Sequence, residues 1–241
     1  MRIAIVLLFA AIGCGGAERV RPTLHVDDAG LVPITTETGR ALLARNLDDA
    51  DAMPLLAHFE SQRHGAHCGI ASSVIALNTL GLVAPPVERL GPFRYFLQEV
   101  LIDDAETASV VPAARVNSQG MTLDQLGGIL RAHGLTVLVT HGADIELVAF
   151  RERLRSNVER RGDVALVNYH RPALGQQGGG HISPVAAYDE ETDRFLILDV
   201  AQYRYPPVWA KAEELWNAVR TVDSDSGLSR GIVEAVGGAS P

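Results

Sequence analysis

The spacing of apolar residues predicts that helices dominate the chain up to about residue 160. One apolar stripe begins just after Cys68 and ends at Gly81; its members are Val74, Leu77, Leu80 and Leu82. This pattern predicts a helix with Cys68 in its first turn. Helical periodicity recurs at residues 92–101, 122–133 and 145–160, and a short strand at 136–139 separates the last two.

Strands dominate from residue 163 onward. Apolar runs predict strands at 164–167 and 231–233, and two runs around an acidic turn near Glu191 predict a β-hairpin over 181–200. If the turn centres there, His181 lies opposite residue 201, and Asp199 is its diagonal neighbour on the same face. Helices followed by antiparallel strands predict an α+β chain, with its site in the seam between two layers.

Cys68 is a candidate nucleophile because of its place in the predicted helix. The N-terminus of a helix carries partial positive charge, which favours a thiolate and lowers the pKa of a cysteine there. The alternative is that Cys68 is a small buried apolar residue, as many free cysteines are. The sequence supplies His181 as a base, and Asp199 as the group that would hold one tautomer of its imidazole.

The order Cys, His, Asp along the chain is that of papain-like cysteine enzymes, in which nucleophile and base meet only in the fold. Gln62 lies six residues before the thiol. Its side-chain amide is a candidate donor to the oxyanion of a tetrahedral intermediate, together with the backbone N–H of Cys68.

The chain resembles the phytochelatin synthase family, a glutathione-handling branch of the papain-like cysteine peptidases. The resemblance covers residues 55–233, and the matching stretches are 68–72 (Cys-Gly-Ile-Ala-Ser), 77–81, 91–96, 120–123, 167–171, 180–184 (Gly-His-Ile-Ser-Pro), 198–200 (Leu-Asp-Val) and 205–209. It implies a papain-like fold in which a helical layer carrying the nucleophile packs on an antiparallel sheet carrying His and Asp. It also implies a triad of Cys68, His181 and Asp199, with Gln62 as oxyanion donor.

The resemblance further implies a pocket for the γ-glutamyl group of glutathione, formed by Asn168, Gly180, Asp223 and Arg230. The chemistry agrees, because an Asp pairs with an α-ammonium and an Arg grips an α-carboxylate bidentately. From the residues alone, an ordinary surface ion pair between Asp223 and Arg230 is the alternative. The chain departs from most relatives at His67, where they carry an aromatic residue just before the nucleophile.

Composition limits the classes of partner. The chain has 241 residues, enough for one sizeable core, with 47% hydrophobic residues and a net charge of −8. Since no basic run is longer than Arg160-Arg161, nucleic acid and an anionic membrane face are excluded as expected partners. His64, His67 and Cys68 lie close in sequence, but we expect no metal site there, because zinc needs three or four ligands with a supporting shell.

The amino terminus predicts export from a bacterial cytoplasm. Residues 1–14 join Arg2 to an apolar run too short to span a bilayer. The ending Ile12-Gly13-Cys14 resembles a lipoprotein signal, in which Cys14 is lipidated and becomes the new N-terminus. Because Ala11 replaces the usual larger aliphatic residue, plain cleavage or a buried N-terminal strand stay open. The predicted division is a signal at 1–14, a tether and lead-in at 15–50, and a catalytic domain at 51–236.

These features predict a periplasmic or membrane-anchored enzyme that cleaves the Cys–Gly bond of glutathione through a γ-glutamylcysteinyl thioester. It needs no cofactor, although metal–glutathione thiolates are allowed as substrates, and homodimerisation stays open. The plant and fungal relatives continue into a cysteine-rich region that this chain lacks, so we expect hydrolysis to dominate over slow transpeptidation. The alternatives are a peptide-processing cysteine peptidase and a non-catalytic lipoprotein that binds γ-glutamyl thiols.

Overall fold

The computed structural model describes residues 30–237, which form an α+β fold around one antiparallel sheet. The described strands are β1 (Val32–Pro33), β2 (Thr136–His141), β3 (Asp163–His170), β4 (Gly180–Asp189), β5 (Arg194–Ile197), β6 (Val208–Lys211) and β7 (Gly231–Val236). They lie in the order β1-β6-β5-β4-β3-β7-β2, and every pairing is antiparallel. The strands that carry the candidate site, β3 and β4, are therefore central.

Helices cover both faces of this sheet. The described α-helices are α1 (Glu37–Arg45), α2 (Ala52–Ala57), α3 (Cys68–Thr79), α4 (Gln98–Leu101), α5 (Ala105–Val110), α6 (Ala113–Gln119), α7 (Leu123–Ala132), α8 (Leu147–Val158) and α9 (Ala212–Val219). One core joins α3 and α7 to the sheet, and a second core on the opposite face joins α8 and α9 to it. The predicted two-layer arrangement is thus incomplete, because the sheet is buried between two helical layers.

Helix α3 is buried on every side, and not along one stripe as its sequence pattern predicted. All residues from Gly69 to Asn78 are buried. Small side chains permit this close packing: a Cβ added at Gly69 would lie 2.4 Å from the sulfur of Met121. Ser72 ties the helix to the sheet, since its hydroxyl donates to the carbonyl of Ile182 in β4 at 3.1 Å.

The aromatic segment at 92–101 is helical only at its end, in α4. The side chain of Asn78 holds the backbone of Phe96 on both sides, accepting from its N–H at 2.9 Å and donating to its carbonyl at 3.1 Å. These bonds replace helical hydrogen bonds, so the preceding residues run without regular structure. Helix α7, by contrast, begins as predicted, with a capping box between Thr122 and Gln125.

Residues 32–46, which the sequence assigned to the lead-in, pack on the rest of the folded chain. Strand β1 pairs with β6, and Leu42 of α1 is completely buried in the core. Arg45 forms a bidentate ion pair with Asp189, through contacts of 2.8 and 2.7 Å. The folded domain therefore begins well before the predicted boundary at residue 51.

The predicted signal at 1–14, with Cys14, and residues 15–29 of the predicted tether lie outside the described residues. Among residues 30–237, no helix combines the length and the apolar character that crossing a membrane requires.

Candidate active site

Cys68 is the first residue of α3, as its sequence pattern predicted, and His67 is the N-cap. The residue is partly buried and lines a cavity. It lies against β4, where the imidazole of His181 and the backbone N–H of Ile182 reach the sulfur, and the N–H of Gly69 reaches it from the helix. The thiol at the start of α3 and the imidazole on the central strand β4 are therefore in contact.

His181 lies between the thiol and Asp199. Its Nε2 is 2.9 Å from Asp199 Oδ1, so Nδ1 is the ring nitrogen left to face Cys68. Its neighbour across the sheet is Tyr169, whose ring packs edge-on at a centroid distance of 5.6 Å. The ring is therefore fixed in orientation by a carboxylate on one side and an aromatic edge on another.

The hairpin brings His181 and Asp199 together, but not by the pairing that was predicted. Strand β5 ends at Ile197, and the register shifts between Val185 and Ala187. Asp199 therefore follows the strand instead of lying within it. Its Oδ1 accepts from the N–H of Ala201 at 2.9 Å, which turns the carboxylate back toward the imidazole.

The three groups shift one another's pKa values in the directions that favour an imidazolium–thiolate pair. Burial raises the pKa of the Cys68 thiol, but the hydrogen bond and positive charge of His181 outweigh it and bring that pKa below its ordinary value. Burial lowers the pKa of His181, whereas hydrogen bonds to Asp199 and Cys68 raise it above the ordinary value. Both shifts favour a charged pair next to a carboxylate over a neutral thiol and imidazole.

Arg171 is a member of this site that the sequence did not single out. It follows β3, is 3% exposed, and donates to both oxygens of Asp199 at 2.7 and 2.9 Å. Burial raises the pKa of Asp199, but its hydrogen bonds to His181 and Arg171 hold it well below the ordinary range. Arg171 therefore keeps Asp199 charged and fixed in position. Nothing in the sequence around Arg171 indicates that its partner is an aspartate 28 residues away.

Gln62 lies near the triad, and its backbone N–H donates to the carbonyl of Val200 at 2.7 Å. Its amide nitrogen donates to the carbonyls of His64 and Gly65 at 2.8 and 3.0 Å, and lies 3.1 Å from the hydroxyl of Tyr203. In this arrangement the amide supports the loop that leads to Cys68. The oxyanion role of Gln62 stays a prediction.

A cavity of about 420 Å³ opens beside the thiol. Cys68 and His181 lie on one side of it, and all four residues predicted to bind substrate also line it, namely Asn168, Gly180, Asp223 and Arg230. A second wall comes from the end of α6 and the loop after it, residues 118–121, and from Ser224 and Asp225. Gly65, Ala66 and Ile182 complete the lining. The pattern of the sequence did not predict this second wall.

Arg230 organises the polar end of the cavity. Its guanidinium donates to Asn168 Oδ1 at 3.0 Å and lies 3.5 Å from Asp223 Oδ1. A Cβ at Gly180 would come within 2.2 Å of it, so only glycine leaves the guanidinium in place. Asp223 and Arg230 are 8% exposed, which argues against the ordinary surface ion pair. One cation and one anion thus face the cavity together.

His67, the residue that departs from most relatives, binds the cavity wall. Its Nε2 lies 2.6 Å from Asn117 Oδ1 in α6, and its ring packs on that of His64 at a centroid distance of 4.7 Å. The contact ties the residue before the nucleophile to the helix that leads into residues 118–121. His64 and His67 thus contact protein groups and each other.

The amino-acid sequence decides the family. Residues 23–232 match the family model described as phytochelatin synthase. The chain belongs to the phytochelatin synthase family. A relative from Lotus japonicus, named glutathione gamma-glutamylcysteinyltransferase 3, is 34% identical over 177 residues, which cover 73% of this chain and 36% of that protein.

Other members of the phytochelatin synthase family give the same picture. Glutathione gamma-glutamylcysteinyltransferase 1 of Triticum aestivum is 33% identical, over 74% of this chain and 34% of the wheat protein. The Schizosaccharomyces pombe glutathione gamma-glutamylcysteinyltransferase is 28% identical, over 72% of this chain and 40% of the yeast protein. The chain therefore spans little more than a third of the length of these curated relatives.

Proposed function

We propose that this protein is a cysteine enzyme that cleaves the Cys–Gly bond of glutathione through a γ-glutamylcysteinyl thioester. The contact chain from Cys68 through His181 to Asp199, next to a cavity with one cation and one anion, carries the proposal. The relatives' names state the transfer of a γ-glutamylcysteinyl group from glutathione, and this substrate is proposed here for the chain. We also propose the papain-like layout of the fold, with the nucleophile on a helix and the base on the sheet.

In the first half-reaction, the Cys68 thiolate attacks the carbonyl carbon of the substrate's cysteinyl residue. The tetrahedral intermediate places a negative charge on oxygen, where the backbone N–H of Cys68 is a proposed donor. The amide of Gln62 is the second proposed donor, and it has to release the carbonyl of His64 or Gly65 to act as one. When the intermediate collapses, the C–N bond breaks, and His181 gives its proton to the leaving nitrogen of glycine. The γ-glutamylcysteinyl group stays on sulfur as a thioester.

In the second half-reaction, His181 removes a proton from the acceptor, which attacks the thioester and regenerates the Cys68 thiol. Water as acceptor gives γ-glutamylcysteine, and the α-amine of a second glutathione gives a phytochelatin. We propose that hydrolysis is the main outcome, because water is always present whereas a second peptide must first be bound. Asp199 and Arg171 touch no substrate in this scheme and are positioning residues.

The γ-glutamyl end is proposed to lie at Asp223 and Arg230. Its α-ammonium would pair with Asp223, and its α-carboxylate with the guanidinium of Arg230, whose Nε is buried without an acceptor in the described structure. Asn168 and Gly180 would hold that guanidinium in place. A peptide lacking a γ-glutamyl group would not present an α-ammonium and an α-carboxylate on one carbon to Asp223 and Arg230, which favours glutathione over longer peptides.

The test is to incubate the purified protein with glutathione and follow glycine, γ-glutamylcysteine and phytochelatin by mass spectrometry. We expect glycine and γ-glutamylcysteine in equal amounts, with Cys68→Ala inactive. Cleavage of a Gly-Gly leader peptide into two peptides, with glutathione untouched, would favour the processing peptidase. Stoichiometric binding of glutathione in calorimetry without turnover would favour the non-catalytic binder.

Export and lipidation at Cys14 are proposed separately, as are a periplasmic or membrane-anchored location and a homodimer. The support for export is the apolar run of residues 1–14, whereas the homodimer rests on no specific residue. Labelling cells with a palmitate analogue, with Cys14→Ser as control, tests the lipid anchor. Light scattering of the purified protein tests the homodimer.

A further inference from the structure

The backbone N–H of Cys68 is available to bind the oxyanion of the proposed reaction. Cys68 is the first residue of α3, and no backbone carbonyl among residues 30–237 accepts from its N–H. The first N–H groups of a helix have no partner within the helix, so this donor is open to a ligand oxygen. Oxyanion holes usually combine such a backbone donor with a side-chain donor.

The side-chain amide of Gln62 is committed to the loop that leads to Cys68. An amide nitrogen carries two hydrogens, and Gln62 Nε2 donates to the carbonyls of His64 and Gly65 at 2.8 and 3.0 Å. Turning the amide over would set its oxygen against these carbonyl oxygens. The two carbonyls therefore fix its orientation, although Oε1 is left buried without a donor among the described residues. In this arrangement Gln62 has no hydrogen left for a substrate.

The hydroxyl of Tyr203 lies 3.1 Å from the same amide nitrogen. Since an amide nitrogen does not accept hydrogen bonds, the hydroxyl oxygen can only be the acceptor in this contact. Within residues 30–237, Gln62 Nε2 is the one polar partner of this hydroxyl. The hydrogen of the Tyr203 hydroxyl is therefore unused, next to the amide that the sequence selected as oxyanion donor.

A tight turn just after the triad carboxylate carries Tyr203 to this place. The N–H of Arg204 donates to the carbonyl of Ala201 at 2.7 Å, so Tyr203 is the third residue of a four-residue turn. Just before the turn, the carbonyl of Val200 accepts from the backbone N–H of Gln62 at 2.7 Å. The segment that leads to the nucleophile and the segment that follows the triad carboxylate thus lie side by side.

The contacts of Gln62 also connect Tyr203 to the loop just before the nucleophile. The N–H of His67 donates to the carbonyl of His64 at 3.0 Å, which closes a turn that ends next to Cys68. Gln62 Nε2 binds carbonyls of this turn and contacts Tyr203 at the same time. Tyr203 is 67% exposed, so a substrate can reach its ring and hydroxyl from solvent.

We propose that Tyr203 is a catalytic residue, whose hydroxyl donates to the oxyanion formed when the Cys68 thiolate attacks a carbonyl carbon. The inference rests on the proposed acyl transfer at Cys68, but not on glutathione as the substrate. Tyrosine hydroxyls are among the groups that form oxyanion holes. Because the oxygen gains its charge only during the attack, the bond is stronger in the transition state than in the substrate complex. Tyr203 supplies a donor while the amide of Gln62 holds the loop.

The experiment compares two reactions of the Cys68 sulfur in the purified protein. p-Nitrophenyl acetate acetylates the sulfur through a tetrahedral oxyanion and releases p-nitrophenolate, whereas iodoacetamide alkylates it by direct displacement without an oxyanion. In Tyr203→Phe we expect acetylation to slow by about 10- to 100-fold, as for the loss of a charge-assisted hydrogen bond. Alkylation at the same pH should be unchanged. With glutathione, kcat should fall by a similar factor at unchanged KM.

Tyr95→Phe is the matched control, and Cys68→Ala gives the background rate of both reagents. Tyr95 is also an exposed tyrosine, and its hydroxyl lies 3.0 Å from His58 Nδ1. Its loss should leave acetylation and alkylation unchanged. The rates are measured at a pH where the protein unfolded in urea reacts slowly. An unchanged alkylation rate in Tyr203→Phe then also shows that this variant is folded around its thiolate.

Three results would overturn the role of Tyr203. The first is acetylation at the same rate in Tyr203→Phe and in the unmodified protein. The second is equal slowing of acetylation and alkylation, which would mean that Tyr203 acts on the thiolate. The third is no acetylation of Cys68 in the unmodified protein, because the site would then stabilise no oxyanion. Acetylation of Cys68 without glycine release from glutathione would refute the proposed function alone, and the ester would still test Tyr203.

Discussion

Arg171 and Asp199 form a bidentate ion pair inside the protein, with contacts of 2.7 and 2.9 Å and almost no exposure of either side chain. The pair explains how a carboxylate can remain charged in a buried place beside His181. Removing one partner of a buried ion pair leaves the other uncompensated, at a cost of about 3–5 kcal/mol. Two consequences follow, for stability and for the reactivity of the thiol.

We expect Arg171→Gln to lower the free energy of unfolding by about 3–5 kcal/mol, measured by urea denaturation. Arg151→Gln is the matched control, because Arg151 binds Asp193 with the same geometry, at 2.7 and 2.8 Å, but on the surface. That variant should lose about 1 kcal/mol or less. Equal losses in both variants would contradict the buried role of Arg171.

The thiol of Cys68 should react with iodoacetamide at lower pH than an ordinary cysteine. Its pKa is lowered mainly by His181, and thiolate is the reactive form. The rate of alkylation falls as the pH is lowered. This fall should occur at lower pH in the native protein than in the same protein unfolded in urea. Coincident profiles of the native and unfolded protein would refute the charged pair.

Asp199→Asn tests the sign of this effect. The negative charge of Asp199 raises the pKa of His181. Without that charge the pKa of His181 falls, so the imidazolium loses its proton at a lower pH than in the unmodified protein. The thiolate then loses its positive neighbour, and the pKa of Cys68 rises. The alkylation profile should therefore move toward alkaline pH, whereas an unchanged profile would separate Asp199 from the reactivity of Cys68.

Gly180→Ala should weaken binding of glutathione, with Gly179→Ala as a neighbouring control. A Cβ at Gly180 displaces the guanidinium of Arg230, whereas a Cβ at Gly179 meets no atom within 4 Å. Loss of a charge-assisted hydrogen bond of about 1.5–3 kcal/mol corresponds to roughly a 10- to 100-fold rise in KM. A similar KM in both variants would place the substrate carboxylate away from Arg230.

Helix α1 provides a test of the domain boundary. Leu42 is fully buried, whereas Leu47 just beyond the helix is 37% exposed. Leu42→Ala should cost about 2–5 kcal/mol of unfolding free energy, and Leu47→Ala much less. If both substitutions were nearly neutral, residues 32–46 would belong to the lead-in that the sequence predicted.

The sequence predicted best where a signal is local. Thr122 and Gln125 mark the start of α7 within four residues, and the runs around Glu191 mark the hairpin. Helix α1 was missed because its only fully buried apolar residue is Leu42, and its place depends on Asp189, far along the chain. Strand β1, with two residues, has no pattern of its own and exists through pairing with β6.

The candidate site shows the same limit. Cys68, His181 and Asp199 could be selected from residue type, order and resemblance, and the structure brings them together. Arg171 could not, because its role depends on folding across 28 residues to reach Asp199.

In the proposed reaction, Cys68 forms a thioester with the γ-glutamylcysteinyl group while glycine leaves. The most direct measurement is mass spectrometry of the intact protein, quenched in acid seconds after mixing with glutathione. We expect an added γ-glutamylcysteinyl mass on a peptide containing Cys68, sensitive to hydroxylamine and absent in Cys68→Ala, together with free glycine. Glycine release that persists in Cys68→Ala, or no adduct and no glycine in the unmodified protein, would contradict it.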